Sequence, residues 1–309
     1  MANITAKDVA ALRAKTGLGM MDCKKALVEA EGDMDKAVQI LREKGLATAA
    51  KKESRIAAEG IVDILVKGNV AAIIEVNTET DFVAKNESFK AFVKDLLETI
   101  IDKKPADVEA LMATTCAGTE TTVDAALVEK IAVIGEKISI RRFAIVEGTL
   151  ATYIHGTGTT GVIVKFETGA DMAGNEKFAE FAKNIALQLA AGNPPEYVNI
   201  EDVPAEAVAA EKAVLIAQAK NDPKNANKPE AILEKMVSGR LGKFYERVCL
   251  VEQAYVKDDD LTVGKYVAAT AKELGTDIKV VSFVLFEKGE GIQKREENFA
   301  EEIAKLTNK

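Results

Sequence analysis

A chain of 309 residues has room for about two domains and a sizeable buried core, and 48% apolar with 29% charged residues excludes disordered and fibrous classes. Its formal charge of −8 argues against electrostatic wrapping of nucleic acid or an anionic bilayer. One histidine, His155, and three scattered cysteines, Cys23, Cys116 and Cys249, exclude a zinc cluster, a disulfide framework and any catalytic design using two imidazoles, so the thiols read as reduced packing residues.

No stretch reaches the roughly 18 consecutive apolar residues of a membrane span, and Met1–Ala10 has no apolar signal core, so a cytoplasmic protein is expected. Three short helices are predicted first. Thr5 caps one that carries Val9 and Leu12 and ends at Thr16, before Gly17-Leu18-Gly19. Asp22 opens a second, with Cys23, Ala26, Leu27 and Ala30 inward, and Asp33 a third, with Ala37, Val38 and Leu41, that is expected to stop at Gly45. Ala47–Arg55 then reads as a linker. Residues 1–55 carry eleven basic against eight acidic side chains, a net +3 opposite in sign to the whole chain.

From Gly60 the pattern alternates with period two and repeats itself. Gly60–Gly68 is echoed 88 residues on by Gly148–Gly156, each the first strand of a hairpin, and the return strands Ala71–Val76 and Val162–Phe166 lie 90 apart. Thr78 and Asp81 match Thr168 and Asp171. The helices that follow carry matching stripes, Phe89, Phe92, Val93, Leu96, Leu97 and Ile100 against Phe178, Phe181, Ala182, Ile185 and Leu189. The core is therefore two copies of a strand, strand, helix unit. Beyond it, Asp202 and Pro204 start a helix that reaches Lys220, a polar loop over 221–229 reverses it, and a return helix carries Leu233, Val237, Leu241, Phe244 and Val248. A short helix over Val263–Glu273, a strand over Val280–Phe286 and an amphipathic helix over Glu296–Leu306 complete the chain.

Gly156-Thr157-Gly158-Thr159-Thr160-Gly161 spells G-x-G-x-x-G, but a β-branched strand follows it where a dinucleotide site requires a helix, so it reads as a hairpin turn. With no G-x-x-x-x-G-K-[ST] loop either, the chain is expected to bind no nucleotide, metal or cofactor itself. His155 stands at the edge of that turn, as a solvated or packing imidazole or as a partner contact. Met20 and Met21, beside the glycine loop at a helix start, cannot both face inward, which suits either core packing by one of them or an adaptable contact. Thr78-Glu79-Thr80-Asp81-Phe82-Val83 places a large ring beside a carboxylate in a surface loop ahead of the helix at Asn86. Composition by itself favours a helix-entry cap with Phe82 folded back as a staple, and the alternative is an exposed partner contact.

Four separated blocks resemble the bacterial elongation factor Ts family, whose members act as guanine-nucleotide exchange factors for the GTPase elongation factor Tu. They are Thr16-Gly17-Leu18-Gly19-Met20-Met21-Asp22-Cys23-Lys24-Lys25-Ala26-Leu27, Thr80-Asp81-Phe82-Val83-Ala84-Lys85, Gly135-Glu136-Lys137-Ile138-Ser139-Ile140-Arg141-Arg142 and Glu234-Lys235-Met236-Val237-Ser238-Gly239-Arg240. The departures lie mainly in Lys104–Thr122 and Lys220–Pro229.

The resemblance implies an α+β architecture. A ubiquitin-associated-like three-helix domain with its linker occupies 1–55. Two core subdomains follow over 56–143 and 144–309, the second including the helical hairpin 202–248 and a carboxy-terminal module 288–309. It implies that the segment Thr80, Asp81, Phe82 and Val83 enters the partner near its nucleotide, with Phe82 as a wedge and Asp81 disturbing the Mg²⁺ environment. Arg13, Met20, Met21 and His155 are implied to make further contacts with the GTPase. No covalent chemistry is expected of such a factor, and a homodimer within the complex is left open. Two other classes stay in view: an enzyme, which would turn over substrate without any GTPase, and a nucleic-acid binder using Lys24, Lys25, Lys51 and Lys52, whose binding would fall steeply with salt.

Overall fold

The computed structural model describes residues 4–191, 193–221 and 230–293. It is an α+β fold of helices with small sheets, and it divides into two compact units. The first comprises Met1–Leu65, Ile74–Phe143 and the chain from Glu287; the second comprises Val66–Ile73 and Ala144–Phe286. The expected helix over Glu296–Leu306 lies outside the described residues, as does most of the loop expected at 221–229.

In the first unit, α1 (Ala6–Thr16) starts at a capping box in which Thr5 and Asp8 bind each other's backbone N–H groups. The second helix, α2 (Met20–Glu29), begins two residues before the expected Asp22, with Gly19 as its N-cap. Asp33 caps α3 (Met34–Lys52) by accepting from the N–H groups of Asp35 and Lys36, both at 3.0 Å. These helices close on Leu12, Cys23, Ala26, Leu27, Ala37 and Leu41.

The expected stop at Gly45 is corrected: α3 runs on to Lys52, so most of the stretch read as a linker is helix. Gly45 is buried against α7 (Val123–Ile134), where a Cβ would stand 3.6 Å from both Val128 and Ala132. A mid-helix glycine costs about 1 kcal/mol relative to alanine, and this packing offsets it.

Strands β1 (Glu59–Lys67), β2 (Val70–Thr78) and β3 (Ile138–Glu147) form one sheet in that order. Gly60 opens β1 at φ +125°, and a Cβ there would fall 2.1 Å from the Val76 carbonyl oxygen, so only glycine lets the two strands meet. Asn86 caps α5 (Glu87–Lys103), accepting from the N–H of Ser88 at 2.8 Å, and the stripe from Phe89 to Ile100 is buried throughout. The divergent 104–122 stretch holds α6 (Val108–Ala113) and buries Leu111 and Cys116.

In the second unit, β4 (Thr149–His155) pairs antiparallel with β5 (Thr160–Thr168), from Thr149 opposite Phe166 to His155 opposite Thr160. The glycine fingerprint is thus the hairpin turn, with Gly156 at φ +60° and Gly158 at φ +89°, and no helix follows it. No pyrophosphate cradle arises from such a turn. Equilibrium dialysis of the isolated chain with labelled GDP is expected to show no stoichiometric micromolar binding; saturable binding there would overturn the prediction.

On β5 lies β8 (Ile278–Glu287), while α8 (Glu176–Ala191) covers the hairpin, with Phe166, Phe178 and Phe181 in mutual ring contact. A short 3-10 turn, Ile200–Asp202, precedes α9 (Ala205–Asn221), which therefore starts after Asp202 and Pro204. Helix α10 (Glu230–Val248) packs against it through Leu215, Ala219 and Val237. The strands β6 (Ala254–Tyr255) and β7 (Asp258–Thr262) and α11 (Val263–Leu274) fill the remaining described part. All three cysteines are free and buried, and burial pushes the Cys249 thiol up to about 11, leaving it an unreactive packing group.

Candidate functional site

Beyond β2 the chain does not go straight into α5. Thr78 is buried and donates its hydroxyl to the Thr80 carbonyl at 2.9 Å, drawing the chain round after the strand. Thr80 is extended, and the single helical turn α4 (Asp81–Ala84) follows. The expected loop is therefore one turn of helix. Successive helical residues point about 100° apart, and here Val83 and Ala84 face inward. Phe82 consequently faces out, 80% exposed. The staple reading is corrected: nothing folds this ring back.

The base of the turn is held from a distance. Glu136 accepts the Thr80 N–H at 3.0 Å on one carboxylate oxygen and the Thr80 hydroxyl at 2.7 Å on the other. Next to it, Glu79 accepts the Lys137 N–H at 2.6 Å and an Arg55 guanidinium N–H at 3.2 Å. Lys137 in turn donates its ammonium to the carbonyls of Glu53 and Arg55, at 2.6 and 2.9 Å. Three segments, the end of α3, the end of β2 and the turn after α7, meet at these bonds. Asp81 sits beside the exposed ring with its carboxylate 2.6 Å from Lys85 Nζ, one helical turn on. The Lys85 hydrogen bond lowers the Asp81 carboxyl from the ordinary aspartate value.

The second copy of the repeat serves as an internal control. At the position of Asp81, Asp171 accepts the N–H of Ala173 at 2.9 Å and closes a turn without a helix. Met172, where the first copy has Phe82, packs partly buried against the core of the second unit. Equal strand ends thus lead to opposite side-chain fates. An aspartate stands at this point in both copies, but only Asp171 closes a turn with its carboxylate, whereas Asp81 pairs with Lys85, and the projecting ring belongs to the first copy alone.

The other predicted residues lie elsewhere. Met20 and Met21 are 57% and 63% exposed at the start of α2, whose Cys23, Ala26 and Leu27 face the bundle, and Arg13 is exposed on α1. His155 is exposed at the tip of the β4–β5 hairpin, its Nδ1 3.3 Å from the Tyr153 hydroxyl. Thr80, Asp81, Phe82 and Val83 share one turn of the first unit, whereas His155 belongs to the second. Among the described residues no group of three histidine, cysteine, aspartate or glutamate side chains is arranged to hold a metal. No helix among them is long and apolar enough to cross a membrane.

Sequence reasoning assigned no role to Glu136. Its partner lies 56 residues away, and neither periodicity nor local spacing connects them. The one available signal was its place in a block shared with known proteins, just after the helix-ending Gly135.

A family model described as Elongation factor TS matches residues 79–290. The elongation factor Ts of Clostridioides difficile strain 630 is 53% identical over 309 residues, covering 99% of each chain. That of Syntrophotalea carbinolica is 46% identical over 307 residues, covering 98% of this chain and 99% of its own. The Clostridium perfringens strain SM101 protein of the same name is 47% identical over 311 residues, covering 99% and 100%. Identity of this order along the whole length extends the likeness well beyond four short blocks, and the chain belongs to the elongation factor Ts family.

Proposed function

We propose that this chain is the nucleotide exchange factor of its cognate elongation factor Tu and works by presenting the Asp81–Phe82 turn to the GTPase. It docks on the GDP-bound partner, disturbs the Mg²⁺ and phosphate contacts there, releases GDP and is displaced by GTP. The observation that carries this reading is the 80% exposure of Phe82, a large apolar ring projecting beside a charged carboxylate from a turn braced on its inner side.

No acid or base is required of the chain for such work. Weakening the hold on GDP tenfold takes about 1.4 kcal/mol from the factor's own interface, and burying a phenylalanine supplies about 1.5–3 kcal/mol. By linkage, the factor binds the empty GTPase more tightly than the loaded one by the same ratio, so incoming nucleotide expels it.

The bundle within residues 1–55 acts as a docking module through Arg13, Met20 and Met21, and His155 adds a contact from the second unit. Their exposure supports this assignment. Replacing Met20 and Met21 together by alanine is expected to raise the concentration needed for half-maximal exchange by about tenfold or more, roughly the burial of one such side chain at the least, with the maximal rate and melting temperature retained. An unchanged half-saturation point would remove the methionines from the interface. The reading as a whole is tested by release of labelled GDP from elongation factor Tu with and without the chain. Release no faster than the spontaneous rate would sink it.

A further inference from the structure

A single helical turn cannot hold its own direction, because the first turn of a helix fixes several residues for one hydrogen bond. Thr80, at the N-cap of α4, provides no side-chain cap to that turn. Both of its donors point instead to Glu136, N–H to one oxygen at 3.0 Å and hydroxyl to the other at 2.7 Å. We propose that Glu136 is a positioning residue for nucleotide exchange: by clamping Thr80 it sets the direction in which Phe82 leaves the surface. The inference rests on the wedge reading above.

The clamp is built for direction. One hydrogen bond leaves a residue free to pivot about it, whereas two bonds from a forked carboxylate to the N–H and side chain of one residue fix its orientation. Glu136 is itself fixed. It directly follows Gly135, the left-handed C-cap of α7, and the next N–H, that of Lys137, donates to Glu79, the residue before Thr80. The turn over 135–137 thus gives an acceptor to Thr80 and takes one from Glu79, so the two segments cannot slide past each other. Phe82 lies two residues beyond the clamp and touches the protein little, so the bracing behind it decides where the ring goes. A group that must reach a set place in a partner needs such support to within about 0.5 Å.

The test compares Glu136→Ala, Glu136→Gln, Thr80→Val and, as reference, Phe82→Ala in stopped-flow release of labelled GDP from elongation factor Tu, over a range of factor concentrations. Folded protein is counted by circular dichroism. Glutamine can accept the Thr80 N–H and donate its amide to the Thr80 hydroxyl, so it preserves both bonds without the charge. Glu136→Ala is expected to lower the maximal rate by about tenfold with the half-saturating concentration within about twofold; Thr80→Val by about threefold; and Glu136→Gln is expected to stay within about twofold of wild type. The double variant Glu136→Ala with Thr80→Val should be no slower than Glu136→Ala alone, because both remove the same clamp. A purely structural role would move the melting temperature and leave the rate per folded molecule alone, and that result overturns the proposal. So does a shift in half-saturation alone, which would make Glu136 a docking contact. If Glu136→Ala does not fold, a wild-type maximal rate for folded Thr80→Val overturns it equally. Wild-type release by Phe82→Ala would take down the wedge reading and the positioning role together, whereas slow release by Phe82→Ala beside normal release by Glu136→Ala removes the positioning role alone.

Discussion

Phe82→Ala is expected to slow stimulated GDP release by about tenfold or more while the melting temperature stays where it was. Both halves follow from the same geometry. The ring is 80% exposed, so the folded chain alone loses little when it is removed. In the complex the lost burial is worth about 1.5–3 kcal/mol, which is one to two powers of ten in the partner's affinity for nucleotide. Had the ring been a staple, the same change would have cost about 2–4 kcal/mol of stability, and exchange would have fallen only with the folded fraction. Melting temperature and GDP release measured on the same preparations separate the two. Asp81→Ala should add a smaller loss that shrinks as Mg²⁺ is withdrawn, if the carboxylate acts on the partner's metal shell. A variant that melts early yet exchanges normally per folded molecule would defeat the wedge.

Glu75 is expected to be the costliest single polar side chain to remove. Its carboxylate is wholly buried on β2 and accepts from Arg141 at 2.9 Å, Arg142 at 2.7 Å, Asn77 at 3.1 Å and the Gly289 N–H at 2.8 Å. Both guanidiniums go on to Glu290, Arg141 to its carbonyl and Arg142 to its carboxylate at 2.8 Å. Glu75→Ala takes the shared buried acceptor away from two arginines, Asn77 and the Gly289 N–H, although the arginines keep their bonds to Glu290. Removing one partner of a buried pair costs about 3–5 kcal/mol, and the low end applies because the arginine side chains stay about 30% exposed. Burial alone would raise the Glu75 carboxyl, yet the Gly289 N–H, Asn77 and the two arginines together hold it below the usual carboxylate value. Its contribution is therefore complete above an unfolded-state pKa of about 4.3 and is lost as pH falls through the lower folded value. In urea unfolding, the gap between wild type and Glu75→Gln should be widest near neutrality and should narrow below about pH 4. A gap of constant width down to pH 3 would show that the carboxylate charge is not what stabilises the folded chain.

Much of the fold is written locally. Asn86 and Asn175 stand at the starts of equivalent helices because a side-chain acceptor there satisfies otherwise unpaired N–H groups, and the stripe from Phe89 to Ile100 recurs at helical spacing because one face meets the core. The hairpin at Gly156–Gly161 was legible for a similar reason, since β-branched residues follow it directly. Gly45 misled because a glycine near the end of a stripe looks like a stop, and only α7, some eighty residues on, supplies the packing that carries α3 through it. Phe82 could be read two ways for a related reason. Asp81 resembles a cap wherever it stands, and whether the ring next to it turns in or out depends on which of its neighbours finds the core.

The sequence by itself therefore determined the α+β class, the repeated strand, strand, helix unit and the helical pair at α9 and α10, since each depends on a period or a motif within a few residues. Only the tertiary structure decided that Phe82 projects while Met172 packs, that Glu136 clamps Thr80 and that Glu75 gathers Arg141 and Arg142. In these three cases the outcome depends on groups brought together from far along the chain, where a side chain's burial and its hydrogen-bond partners are set by packing, and no local pattern encodes which distant acceptor will be within reach.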